Sequence, residues 1–408
     1  MRIILKRKFG VQYIILYLCA FFIVYESGSL PSIKSINDLF IDKGLLFLFL
    51  GIIAIFSLKK LKNWNKIFAW SMLFTFFIII NSIVSLRTTP ELIYRLFIFL
   101  LIYLLLLYTN ENKISFDMII CKSIVFIAIS SLIIYILVHL FNIQIPYTEF
   151  YLADKGVRFL NYFGLYYEQG YSNMQFGLNL YRMTGPFWEP GVYQIFLNYA
   201  LFRYIMLQNK NKLVISILLI DIFFTMSAAG WICAICILSM RVFISDKISK
   251  KYKIILSFFI IVVSAFLLNF IIASKFSETY ANKSSAYIRV NDFILSLQLF
   301  FENMIFGVGF HNTEVFEMRN FYNNTGMLGS SNGLMTICYT TGLCGLTFIL
   351  FPFINNIKKS NKNKKIIKLF FFIIVLFFNF VEPVYYFPFM IYILANEYMN
   401  ALENYKFR

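Results

Sequence analysis

The stretch Arg182-Met-Thr-Gly-Pro-Phe-Trp-Glu-Pro-Gly191 sets an arginine beside glycine–proline turns at the start of an apolar run. Arginine carries a planar, permanently charged fork that grips phosphate through two bonds. A helix start adds free amide donors and a positive dipole end. Together they suit an anion. The same arginine would equally serve as a headgroup-level anchor held by Glu189. A second cation, Arg289, follows Ser285-Ala-Tyr-Ile and precedes Gly307-Val-Gly309 and His311. Arg289 is a candidate second phosphate ligand. His311 suits acid–base work, although a single loop histidine also fits a polar surface. Between the arginines, Thr225-Met-Ser-Ala-Ala-Gly-Trp231 makes a tight turn whose small residues let two helices approach closely.

The elements that position these residues are hydrophobic. The chain has 408 residues, of which 60% are hydrophobic and 14% charged, and its mean hydropathy is +0.73. A soluble domain carries about 25% charged residues, so this composition describes a polytopic membrane protein. A span needs about 20 apolar residues. Against that measure the apolar runs give candidates at roughly 11–25, 44–58, 67–86, 92–109, 118–141, 191–208, 213–227, 229–245, 254–273, 332–354, 366–381 and 383–397. The last two are short and joined at Val381-Glu382-Pro383, so either is open to a re-entrant reading. The expected fold class is all-α, a polytopic helix bundle forming a single integral membrane domain over 1–408.

Lysines sort by side. Lys59, Lys60, Lys62 and Lys66, then Lys247, Lys250, Lys251 and Lys253, then Lys358, Lys359, Lys362, Lys364, Lys365 and Lys368 fill alternate gaps. Cytoplasmic loops retain Lys and Arg, so that side is the cytoplasm and both termini lie there. The run after Met1 to Lys8 is expected to be the first span rather than a cleaved signal. Two large loops, 142–190 and 274–331, then face outward. Both are rich in aromatics and glycine, and read as folded caps. Residues 285–304 have helical spacing and read as an interfacial or partly embedded helix. The net charge of +17 is topogenic, with attraction to membrane lipids and not to nucleic acid. The six cysteines (Cys19, Cys121, Cys233, Cys236, Cys338, Cys344) lie in or beside apolar runs, and are read as core residues without disulfide or metal. No cofactor motif appears.

These stretches, in this order, resemble the O-antigen polymerase and O-antigen ligase superfamily, integral membrane glycosyltransferases of the C type. The resemblance covers roughly residues 180–350. An RxxGxFxxP-like segment is matched by Arg182, Gly185, Phe187 and Pro190. A TxSxxG-like hairpin is matched by Thr225, Ser227 and Gly230. A late-loop arginine before GxG is matched by Arg289, Gly307 and Gly309. A final asparagine leading to GxxG is matched by Asn332, Gly342 and Gly345. The family's histidine before that asparagine is Ser331 here. Glu189-Pro190-Gly191 stands where many members have an Asn-Pro-like pair. Both departures favour a polymerase over a ligase.

The resemblance implies a metal-independent transfer between undecaprenyl-pyrophosphate-linked oligosaccharides in the outer leaflet of a bacterial plasma membrane. It also implies a chain-length regulator and a flippase as partners. The growing glycan moves from its pyrophosphate to a sugar hydroxyl of the next unit, making O-antigen, capsule or exopolysaccharide. Arg182 and Arg289 are expected to meet the pyrophosphate. Arg95, near the external end of its helix, Arg158, Trp188, Arg319 and Asn332 are candidate substrate contacts. Glu189, His311 and Glu382 are the candidate bases, Glu189 first. Arg203 and Lys122 are expected to snorkel, and Asp221 to be paired inside the bundle. A flippase would not need large arginine-bearing loops, and a transporter would show repeat halves, of which the sequence has no sign. A ligase of the same superfamily differs mainly in acceptor.

Overall fold

The computed structural model describes residues 10–33, 40–58, 83, 90–152, 157–169, 181–206, 211–244, 249, 251, 285–310, 312, 314–322 and 330–403. Helices dominate. Among the described residues the helices longer than one turn are, in order, α1 (Val11–Tyr25), α2 (Phe40–Leu58), α3 (Pro90–Glu111), α4 (Phe116–Tyr135, continued by a π turn Ile136–Leu140), α5 (Pro190–Met206), α6 (Lys212–Thr225), α7 (Ala228–Ile244), α8 (Ser285–Glu302), α9 (Glu314–Tyr322), α10 (Gly333–Lys358), α11 (Lys362–Val381) and α12 (Pro388–Glu403). In lipid the backbone must bond internally, which makes helices the natural spanning element for such apolar runs.

Among the described residues, three helical stretches are long and apolar enough to cross a membrane: Tyr94–Glu111, Phe116–Leu140 and Gly333–Lys358. Shorter apolar helices cover Val11–Tyr25, Gly44–Ile55 and Ala228–Ile244. The candidate spans 67–86, apart from residue 83, and 254–273 lie outside the described residues. The other candidates each fall on a helix, with shifted ends; α12 starts at Pro388 rather than 383.

α5 is the hub. Every side chain from Pro190 to Met206 except Arg203 is buried, and α5 packs against α4, α6 and α7. α3 packs on α2 and α12, and α8 on α10. Proline at the first position of α5 costs nothing, because its missing N–H would have no helical partner there.

The all-α expectation needs one correction. The first large loop carries a three-stranded antiparallel sheet, β1 (Thr148–Leu152), β2 (Val157–Tyr162) and β3 (Tyr166–Gln169), in that order. Its aromatic and β-branched residues suit a pleated surface. Leu30, Phe159 and Tyr167 form a small core under it, with Phe150 and Trp188 packed alongside. The sheet is stitched to the arginine segment: Tyr167 N–H donates to Gly185 O at 2.9 Å, and Thr184 Oγ1 donates to Tyr167 O at 2.5 Å. Residues 186–188 also bond to the loop after α1, with Leu30 N–H to Pro186 O at 3.0 Å and Trp188 N–H to Gly28 O at 3.3 Å.

The expected helix over 285–304 is α8. After it, the GxG segment crosses a break in α10. Gly342 has φ 61° and ψ −160°, outside helical values. The carbonyls freed by the break accept from Val308 N–H (Tyr339 O, 2.8 Å) and Gly309 N–H (Thr340 O, 3.0 Å). The freed donors of Leu343 and Cys344 reach Met304 O (2.8 Å) and Ile305 O (3.1 Å). A Cβ on Gly307 would lie 2.4 Å from the Thr340 backbone, and one on Gly342 2.5 Å from Ile305 O. The two glycines therefore serve a backbone-to-backbone junction that satisfies a broken helix.

Candidate functional site

Three chain segments meet at the turn between α11 and α12. Glu382 lies in this turn and is only 4% exposed. Arg289 of α8 reaches it from one side: Nη2 stands 3.5 Å from Glu382 Oε1, and Nη1 donates to Val381 O at 2.7 Å. The α5 N-terminus approaches from another side. A Cβ on Gly191 would lie 2.3 Å from Glu382 Oε1, so only glycine leaves room for the carboxyl at that helix start. The α10 N-terminus closes a third side, where a Cβ on Gly333 would meet Pro383 Cα at 2.6 Å and Glu382 O at 2.7 Å.

Arg182 joins the same group. Its Nε donates to Thr225 O at 3.3 Å, and Met183 N–H donates to Phe224 O at 2.9 Å. The carbonyls of the α6–α7 turn thus hold the arginine. Met226 in that turn has φ +48°, and a Cβ on Gly230 would lie 3.0 Å from Gln194 Cβ of α5. Burial lowers the Arg182 guanidinium from its ordinary value, while the Glu189 and Glu382 carboxyls oppose that shift. Glu382 feels Glu189, Arg289 and Arg182 in turn. Burial, reinforced by Glu189, pushes its carboxyl up to about 8 against the pull of the two arginines. Desolvation outweighs the help of the helix end. A helix N-terminus favours a carboxylate by about 0.3–1 kcal/mol, up to ~2 when partly buried, whereas removing the ion from water costs several.

α8 brings a further carboxylate. Arg289, Asp292 and Ser296 recur at i, i+3 and i+7 and share one helix face. Asp292 is 2% exposed. Its Oδ2 accepts from Ser331 N–H at 2.9 Å, just ahead of α10. Ser296 Oγ meets Ser330 Oγ at 3.3 Å, and Asn332 caps α10 by accepting from Met335 N–H at 3.0 Å. Asp292 Oδ1 and Ser331 Oγ have no hydrogen-bond partner among the described residues. Leaving a buried polar oxygen unfilled costs about 1–3 kcal/mol, more when it is charged. The sequence reading missed Asp292; the legible signal was its spacing from Arg289 inside a segment already read as a helix.

The other candidates divide. Arg95 lies over the rings of Tyr94 (5.0 Å) and Tyr386 (5.1 Å), so it reaches the turn that holds Glu382. Trp188 packs between the bundle core and the sheet core. Asn332 is a helix cap. Arg158 pairs with Glu149 at 3.4 Å on the exposed sheet. Arg319 of α9 makes a two-pronged pair with Glu302. No contact among the described residues brings Arg158 or Arg319 to the Glu382 cluster. His311 lies outside the described residues; its neighbour Phe310 packs edge-on against Tyr385 of the turn at 6.4 Å.

Among the deeper charges Arg203 is paired rather than snorkelling, whereas Lys122 is exposed and neither carboxyl oxygen of Asp221 has a hydrogen-bond partner among the described residues. Arg203 binds Asp117, which also accepts from the hydroxyls of Tyr199 and Tyr392. Asp221 is fully buried beside Tyr193.

Residues 213–350 match the family model described as O-antigen ligase. The match supports the O-antigen ligase and polymerase superfamily, whose members are membrane glycosyltransferase-like enzymes acting on lipid-linked oligosaccharides. It takes in the α6–α7 turn, Arg289, the GxG junction and the start of α10, and begins after the Arg182 segment. No curated protein matches the chain.

Proposed function

We propose that this chain is a polysaccharide repeat-unit polymerase of the bacterial plasma membrane. It transfers a growing glycan from undecaprenyl pyrophosphate to the next lipid-linked repeat unit on the extracytoplasmic side. The observation that supports this reading best is that Arg289 contacts the carboxyl of Glu382 while Arg182, from a distant part of the chain, comes within electrostatic reach of it. One guanidinium in contact with a buried acid and a second within its electrostatic reach, beside a helix N-terminus, suit a larger anion.

In the reaction, an acceptor sugar hydroxyl attacks the anomeric carbon of the donor. A new C–O bond forms, the bond from that carbon to the pyrophosphate oxygen breaks, and polyprenyl pyrophosphate leaves. Negative charge grows on the leaving oxygen. Fixed cations aimed at that charge stabilise the transition state without reorganising, which suits a metal-independent transfer. Glu189, close to Arg182 and Glu382 in electrostatic reach, holds the arginine side in place. Arg95 and the aromatic rings of the turn face the lipid-linked substrate. The lysine sorting supports cytoplasmic termini and external caps over 142–190 and 274–331.

A ligase of the same superfamily is the second reading, favoured by the description of the matching family. Ser331, where the family has histidine, favours the polymerase. Reconstitution of the full chain in vesicles with lipid-linked repeat units separates them. Longer glycan on the polyprenyl carrier means polymerase. Transfer only to a non-polyprenyl lipid acceptor means ligase. Movement across the bilayer without a new bond refutes both.

A further inference from the structure

We infer that Asp292 and Ser331 form the acceptor-hydroxyl subsite, with Asp292 Oδ1 taking the proton from the attacking sugar hydroxyl. The inference rests on the glycan-transfer reading above and names a residue for a step that reading leaves unassigned.

The argument begins with unmet hydrogen bonds. Asp292 is fixed from one side, because Oδ2 receives Ser331 N–H at 2.9 Å. Its other oxygen, the Ser331 hydroxyl and the amide oxygen of Asn379 have no partner among the described residues. Asn379 belongs to the same place: its backbone oxygen lies 2.8 Å from where a Gly333 Cβ would stand. The carboxyl and amide oxygens accept only, the serine hydroxyl can both donate and accept, and the three groups gather near the start of α10. Buried polar atoms are rarely left unfilled without a reason. Acceptors of this kind call for donors, and a polyhydroxylated ligand brings several. Asp292 also sits one helical turn from Arg289, so a hydroxyl on it lies within about one side-chain spacing of the proposed anion ligand. A base and a leaving-group cation at that spacing can both reach one anomeric carbon.

The step balances. The hydroxyl oxygen forms the glycosidic bond as its proton passes to Asp292 Oδ1. The electron pair of the broken bond leaves on the pyrophosphate, and the proton returns to water after product release. Glu189 is the rival base. It lies beside Arg182 at the α5 end, where the opposing charges are those of the anion site.

The test uses the full chain in vesicles, with a polyprenyl-pyrophosphate-linked repeat unit as substrate and undecaprenyl pyrophosphate as binding probe. Asp292→Asn keeps an oxygen for Ser331 N–H but cannot take a proton. It is expected to lower transfer by about 10²- to 10⁴-fold, the usual contribution of a positioned base, with undecaprenyl pyrophosphate binding unchanged. Ser331→Ala removes only a hydroxyl that bonds to no described residue, so it tests the subsite even where Asp292→Asn protein is scarce. It is expected to raise KM for the repeat unit several-fold with little change in kcat. Near-normal transfer by Asp292→Asn, or an unaltered KM in Ser331→Ala, overturns the inference. Loss of transfer in Glu189→Gln together with activity in Asp292→Asn overturns it in favour of Glu189. Absence of any transfer by the wild-type chain refutes the functional reading itself.

Discussion

Arg289 Nη2 stands 3.5 Å from Glu382 Oε1, and the same guanidinium donates to Val381 O at 2.7 Å. Glu382 is also within electrostatic reach of Arg182. One buried acid therefore relates two arginines that the sequence keeps far apart, and it holds the place that the account gives to pyrophosphate.

Replacing either arginine by lysine should cost about 1.5–3 kcal/mol, on the order of 10- to 100-fold in kcat/KM. An ammonium keeps the charge but loses the fork. Initial rates on the lipid-linked repeat unit check this; lysine variants at wild-type rate would limit the arginines to a general positive field.

Glu382 should make substrate binding depend on pH. Its carboxyl, pushed up to about 8 in the fold from an ordinary value of 4.5, is neutral at lower pH and leaves both arginines to the anion. As pH rises through about 8 it ionises and competes. Affinity for undecaprenyl pyrophosphate should fall over that range in the wild type and vary less in Glu382→Gln. The stability linked to this raised value is fully present below about 4.5 and is lost as pH rises through about 8. Thermal denaturation in detergent should show that sign.

Two kinds of glycine should behave differently. In Gly191→Ala the new methyl meets the flexible end of Glu382 at 2.3 Å. The carboxyl must leave the α5 N-terminus, so activity should change while protein abundance holds. In Gly307→Ala and Gly342→Ala the methyl meets backbone at 2.4 and 2.5 Å, with φ of +73° and +61°. The left-handed conformation alone costs about 1–2 kcal/mol, so these variants should lose stability first. Comparing melting temperature with transfer rate for the three variants checks the division.

Much of this was legible before the fold. Clustered lysines, apolar runs and the turn residues around Arg182, Thr225 and Arg289 located the helices and the two arginines. The sheet in the first loop was not legible, because Tyr and Phe alternate there with glycine and charge in a segment that also fits an aromatic cap. Glu382 stands in the sequence as one of three candidate bases; only the close approach of Gly191 and Gly333 shows that two helix starts converge on it. Arg203 looked like a snorkelling cation because its partner, Asp117, comes from another helix. Arg158 and Arg319 were grouped with the other external arginines by charge alone, and their partners Glu149 and Glu302 lie outside the cluster.

Arg158→Ala and Arg319→Ala should accordingly leave transfer within about twofold of wild type, since exposed ion pairs contribute little. A large loss in either, with normal abundance, would extend the substrate site onto the sheet or α9.

The central claim is that Arg182 and Arg289 grip one anion. A double-mutant cycle on kcat/KM tests it most directly, using Arg182→Ala, Arg289→Ala and the pair in the full reconstituted chain. Ligands of one pyrophosphate should couple, so that the double variant loses clearly less than the summed single losses, by about 0.5–3 kcal/mol. Strict additivity, or single variants with wild-type rates at normal abundance, would contradict a shared site.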